Sequence, residues 1–243
     1  MATAGILPNQ INHVATTLNP NPADVPIETV NQRVGEVYAY AALGLAISAI
    51  SAAVFAKIGF TAVVVSAVMS CPILGCLTLL AIGVGLIAAT LLVPKEKSLL
   101  KHGCHGLFTV FQGLVLSPLV LINPIAFAAA TAGAVALTGG LGALAMKLKT
   151  SFERYEKILM VGLGAIALAS IGSLFLPGAA GLIAHKISFF GGFALFGALV
   201  IHDTHKARRE AQLPEFDPLK HSMAIYLDAV NLLVRLWEIF AKK

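Results

Sequence analysis

Residues 58–94 run for 37 positions without a single Asp, Glu, Lys or Arg. About 20 apolar residues in a helix, at about 1.5 Å each, cross the hydrocarbon layer of a bilayer. A run nearly twice that long selects a helical membrane protein, because in lipid each backbone N–H and C=O must find its partner inside the segment. Composition agrees. Of 243 residues, 58% are hydrophobic and 12% charged, about half the charge of an ordinary soluble domain.

Charges and prolines mark the spans. Residues 37–56 lie between Glu36 and Lys57 and form the first predicted helix. Pro72 interrupts the 58–94 run, so the second is placed at 72–93, and 58–69 is left short for a crossing. Ile-Asn-Pro at 122–124 divides the next apolar stretch into a hairpin of helices at 102–121 and 125–146. Further helices are expected at 158–176, 180–202 and 221–241, the last holding Asp228, Arg235 and Glu238. The fold class is all-α integral membrane, a bundle of seven transmembrane helices (residues 35–243). Residues 1–34, with four prolines and few charges, read as a flexible cytoplasmic tail without a secretory or organellar leader.

In the seven-helix reading, Arg33, Lys95, Lys97, Lys101, Lys147, Lys149, Arg154, Lys157, Lys206, Arg208, Arg209 and Lys220 fall on one side. Lys57, Lys186, Lys242 and Lys243 fall on the other. Basic loops stay in the cytoplasm, so the tail and the even-numbered loops are cytoplasmic. A net charge of +5 spread over short loops is this topology pattern, and nucleic acid is not an expected partner. Cys71, Cys76 and Cys104 form no CxxC pair and are expected to be packing residues. Gly140–Ala145 matches GxGxxA, but no strand precedes it, and small residues at such spacing let membrane helices pack closely.

Ionisable groups inside apolar helices are costly and point to function. Asp203 ends the sixth helix and Asp228 lies about two turns into the seventh, so both carboxylates approach one depth from the cytoplasmic side. If they meet, they share a proton and titrate as a unit, as a proton sensor or a cation site. Alternatively Asp203 is an interfacial helix-end residue and Asp228 sits in a salt bridge. Asn231 and Arg235 follow Asp228 at i+3 and i+7 and extend its polar face. Lys95, with Lys97 behind it, is the candidate cation lock on the pair. Enzyme readings fail: no GxGD precedes Asp228 and no GxSxG elbow surrounds a serine. The pairs His102/His105 and His202/His205 lack a third ligand on the same face and read as interfacial, so no metal or cofactor is expected beyond transient calcium at Asp203 and Asp228.

The C-terminal segment carries a resemblance. Gly197–Thr204 ends in His-Asp-Thr; Glu215-Phe216-Asp217-Pro218-Leu219 follows, and then Ser222-Met223-Ala224-Ile225-Tyr226-Leu227-Asp228-Ala229-Val230-Asn231-Leu232-Leu233. This resembles the signature of the Bax inhibitor (TMBIM) family, an apolar helix ending in Asp-Thr, an FDP loop and S-x-x-x-Y-x-D-x-x-N-L. Residues 113–118 (GLVLSP) are similar to a family stretch in the third helix. The resemblance implies six helices around a central C-terminal one and a pH-sensitive calcium leak. It places Asp203 and Asp228 on the proton-sensing pair and Lys95 where bacterial relatives have a locking arginine.

Two functions follow as expectations. One is an ion leak, with calcium the transported species and Asp203 and Asp228 as gate and sensor, in calcium homeostasis or cell-death and stress control. The other is a non-conducting regulator that binds membrane proteins such as a protease or a cell-death factor. The lack of an acid in the second helix favours the latter, whereas the aspartate pair favours the former. The setting is a bacterial inner membrane or a eukaryotic endomembrane (ER, Golgi or mitochondrial inner membrane). The lipid bilayer is the expected surrounding, with other membrane proteins as the expected partners of the second function.

Overall fold

The computed structural model describes residues 25–148 and 152–242, and all regular structure among them is helical. Helix α1 (Ile27–Lys57) is followed by α2 (Phe60–Ser70), α3 (Pro72–Leu92), α4 (Ser98–Ile122) and α5 (Pro124–Lys147). A 3-10 turn at Glu153–Tyr155 leads into α6 (Glu156–Phe175). Helices α7 (Gly178–Lys186) and α8 (Gly192–Glu210) join through a π-helical turn, Ile187–Gly191, into one 33-residue run. Helix α9 (Pro218–Ala241) closes the chain. Six of these runs are long and apolar enough to cross a membrane: α1, α3, α4, α5, α6 and the joined α7–α8.

The breaks follow local chemistry. Gly59 takes a positive φ of 78° at the α1–α2 turn, a conformation that costs glycine little. Pro72 and Pro124 each open a helix, where a missing N–H is harmless. Asn123 Oδ1 accepts the Ala126 N–H at 3.0 Å, and Asp217 Oδ1 accepts that of Lys220 at 3.2 Å, so α5 and α9 both begin with a side-chain cap.

One boundary is corrected. The helix expected from residue 37 starts at Ile27, so residues 27–34 are not tail; residues 1–24 lie outside the described residues. Val30, Val34, Val37, Ala41, Leu45, Ser48 and Ala52 form one buried stripe along α1. The polar letters between them mask that period. Thirty-one residues span about 46 Å, well beyond the hydrocarbon thickness. The extra turns pack Val30 and Val34 against Ala211, and Arg33 Nη1 donates to the carbonyls of Ala211 (2.6 Å) and Leu213 (3.0 Å).

The core forms where small residues let helices touch. Helices α1 and α4 cross so closely that a Cβ on Gly113 would come 2.5 Å from Ser51 Cβ and 2.6 Å from the Ser48 carbonyl. Gly44 faces the Tyr226 ring in the same way. Tyr226, fully buried, packs edge-on against Phe108 and shares a 2.6 Å hydrogen bond with Ser48, whose hydroxyl donates to the Thr109 carbonyl. With the Ser48 proton spent on Thr109, the Tyr226 hydroxyl is the donor to Ser48, and all three helices are tied at one point. Helix α9 packs against α5, α8 and α1.

The cysteines are not packing residues as expected: Cys71 and Cys76 are exposed and Cys104 half-buried. Helices α2 and α3 turn most of their apolar surface outward, and the first two cysteines go with it.

Candidate functional site

Asp228 lies on α9 between the fully buried Tyr226 and Ala229 and is itself 6% exposed. Its Oδ2 has no hydrogen-bond partner among the described residues. Asp203, on α8, is near enough for the two carboxylates to act on each other electrostatically, and both act on the Tyr38 phenol of α1. The two aspartates singled out in the sequence thus lie within electrostatic range of each other, and neither forms a salt bridge to Lys or Arg among the described residues.

Other residues complete the site. His202, 2% exposed, approaches Asp203 with Nδ1 at 2.8 Å from Oδ1, so an Nδ1–H donates to the carboxylate; its Nε2 is buried without a partner among the described residues. It is not the interfacial residue expected from sequence; its position after Ile201 on the buried face of α8 puts it inside. Thr204 Oγ1 donates to the Val200 carbonyl at 2.6 Å, which leaves its oxygen to accept the Tyr38 hydroxyl at 2.5 Å. Tyr38 reaches this point because Gly142 on α5 has no side chain; a Cβ there would overlap the hydroxyl. The site is thus a buried carboxylate, a half-buried one held by a histidine, and a tyrosine–threonine pair beside them.

Lys95 is not the lock. It is exposed in the turn between α3 and α4, with no ion pair or hydrogen bond from its ammonium among the described residues. The buried cation nearby is Lys101, whose Nζ donates to the Val93 carbonyl at 3.0 Å and pairs with Asp217. The physical reason is helix geometry. Lys101 lies on the inward face of α4, in line with buried His105 and Phe108, whereas Lys95 precedes the helix and has no scaffold to carry it inward. Asp217 does double duty as α9 cap and Lys101 partner. Phe216 beside it is stacked on His221 (centroids 5.2 Å apart) under the Arg33 guanidinium, and His221 Nε2 is 3.1 Å from Glu210 Oε2. The FDP loop is therefore clamped from α1, α4 and α8.

Asn231 and Arg235 do not extend the carboxylate site. Asn231 Nδ2 donates to its own helix at the Leu227 carbonyl, 2.9 Å away. Arg235 turns toward the far end of α9, about 10 Å along the axis from Asp228. There its Nη1 is 3.7 Å from Glu238 Oε1, and Glu238 Oε2 is 3.4 Å from His185 Nε2. The guanidinium lies on Gly192, where a Cβ would be 2.9 Å from Nε, beside the π-helical turn. Helix α9 therefore carries two separate polar clusters, Asp228 at mid-helix and Arg235 with Glu238 toward its C-terminal end. Among the described residues, no three His, Cys, Asp or Glu side chains converge as a metal-binding group.

Six apolar runs, long enough to cross a bilayer, define a multi-pass helical membrane protein. A family model described as "Inhibitor of apoptosis-promoting Bax1" matches residues 30–243. The chain belongs to the Bax inhibitor family, as its C-terminal signature suggested. It is 28% identical over 226 residues to the growth hormone-inducible transmembrane protein of Rattus norvegicus, covering 87% of this chain and 63% of the rat protein. It is also 33% identical over 168 residues to an uncharacterized protein of Campylobacter jejuni, covering 66% of this chain and 69% of that one. The chain thus spans less than two thirds of the rat relative's length.

Proposed function

We propose that this protein is a pH-sensitive calcium leak in which Asp203 and Asp228 are both gate and proton sensor. In this reading α9 is a seventh crossing, set centrally among the other six, and calcium is cargo rather than a resident cofactor. The observation that carries it is the Asp228 carboxylate: buried, unpaired and within electrostatic range of the Asp203 carboxylate. A lone buried carboxylate is tolerated only when protonated or beside a cation. Two carboxylates in electrostatic contact exchange a shared proton for a divalent ion as pH changes. Two carboxylates also fall well short of the six to eight oxygens of a storage site, which suits passage rather than retention. The protein performs no catalysis, and its setting is a bacterial inner membrane or a eukaryotic endomembrane. Control of calcium level or of the cell-death response follows from the leak.

A second reading, a non-conducting regulator of other membrane proteins, draws on one observation: α3 contains no acidic residue to continue a cation path. Flux in proteoliposomes separates the two. Wild-type protein releases calcium with a pH-dependent rate; Asp203→Asn and Asp228→Asn each shift or flatten that dependence, and the double variant resembles the stronger single one. No flux at any pH from folded protein selects the regulator. Independent, additive effects of the two substitutions, or a wild-type pH response in both, overturn the paired sensor.

A further inference from the structure

Beside the carboxylate site, a cleft of about 240 Å3 opens between α3, α8 and α9. Its walls change character along their length. Lys206 of α8 and Lys220 of α9 stand at the end where α8 finishes and α9 begins. Ile87 and Leu91 of α3 and Leu227 of α9 form its apolar walls, with Leu227 about 10 Å further along its helix than Lys220. Neither lysine ammonium has an ion pair or hydrogen bond among the described residues. Both line the cleft together with His221. His221 is itself committed, stacked on Phe216 and paired with Glu210.

We propose that this cleft binds an anionic phospholipid, with Lys206 and Lys220 on the headgroup phosphate and an acyl chain along Ile87, Leu91 and Leu227. Two ammonium groups without an ion pair among the described residues, in the wall of an apolar slot, match a phosphate joined to a hydrocarbon chain and nothing wholly polar. Asp203 also lines the cleft. Its Oδ1 accepts from His202 Nδ1–H, and among the residues that line the cleft two lysines stand against one carboxylate. The loose seat of α3, which buries Thr90 alone along its length, leaves the slot accessible sideways from a bilayer. This inference does not rest on calcium flux.

The test is native mass spectrometry of the full chain in detergent, titrated with phosphatidylglycerol or phosphatidylcholine. Phosphatidylglycerol is retained preferentially, and K206Q/K220Q lowers its affinity by about tenfold while phosphatidylcholine binding is unchanged. Leu91→Trp fills the apolar end and weakens phosphatidylglycerol without touching either lysine. The control K147Q/K157Q removes two basic residues that do not line the cleft and changes affinity by less than about twofold. The proposal is overturned by unaltered phosphatidylglycerol preference in K206Q/K220Q, by an equal loss in the control pair, or by inorganic phosphate displacing the lipid as well as a second lipid does.

Discussion

Helices α3 and α9 are similar in length, 21 and 24 residues, and opposite in every other respect. Helix α3 is the most apolar of the six candidate spans, yet only 6% of its apolar window is buried. Helix α9 is absent from that group of six because of its charged and polar residues, and it holds eleven buried side chains. In water the more apolar helix forms the core. In a bilayer the solvent is itself apolar, so burial follows from packing and polar bonding, while the most hydrophobic face is left for lipid. Hydropathy therefore finds the exposed α3 well and undervalues the more buried α9.

The largest effect expected from this contrast is at the α1–α4 crossing that supports α9. Gly113→Leu forces four carbons into a space where even a Cβ comes 2.5 Å from Ser51. Overpacking of this kind costs about 3 kcal/mol or more. The variant should elute as aggregate or lose its thermal transition in detergent. On α3, a Cβ added to Gly85 would meet nothing within 4 Å, and Gly85→Leu should elute as wild type. Equal behaviour of the two glycine variants would erase the distinction between inner and outer helices.

How much of this was legible in the sequence also divides along the same line. The breaks at Pro72 and 122–124 were readable because proline and Asn-Pro act locally, through a missing N–H and a side-chain cap. Asp203 and Asp228 were readable because charge in an apolar helix is conspicuous, and the family signature surrounded them. Tyr38, Thr204 and His202 were not, since a tyrosine 166 positions from its threonine partner leaves no local trace. The stripe of Val30, Val34 and Val37 did offer a signal, a helical period running into the supposed tail. Lys95 failed as a lock because counting along the chain cannot say which of several lysines a helix turns inward; the seven-residue spacing of Lys101 and Phe108 on α4 was the available clue.

A smaller effect, of opposite sign, is expected inside α9. Asp228→Asn replaces a buried, unpaired carboxylate by a neutral amide of the same shape. At neutral pH the variant should be more stable to heat or denaturant by about 1 kcal/mol, because the cost of an uncompensated charge or of binding a proton is gone. If the buried aspartate is kept for ion handling, stability and pH response move in opposite directions. A destabilised D228N would mean that the carboxylate holds α9 in place through a bond the neutral amide cannot make.

The smallest effect separates the polar knot at Tyr226 from the lipid face of α3. Tyr226→Phe removes one buried hydroxyl but keeps the ring between Gly44 and Phe108, and Ser48 still donates to the Thr109 carbonyl. The loss is a single internal hydrogen bond, about 1 kcal/mol. Leu80→Ala on α3 deletes three carbons from a side chain 63% exposed, and its loss should fall below about 0.5 kcal/mol. In water, trimming a leucine is usually the costlier of the two; here the order reverses, since lipid replaces the lost contacts of Leu80 while nothing replaces the Tyr226 donor. Urea or thermal titration of both variants in the same detergent gives the order directly. A larger loss for L80A would place that face of α3 against protein, in a second copy or partner, rather than against lipid.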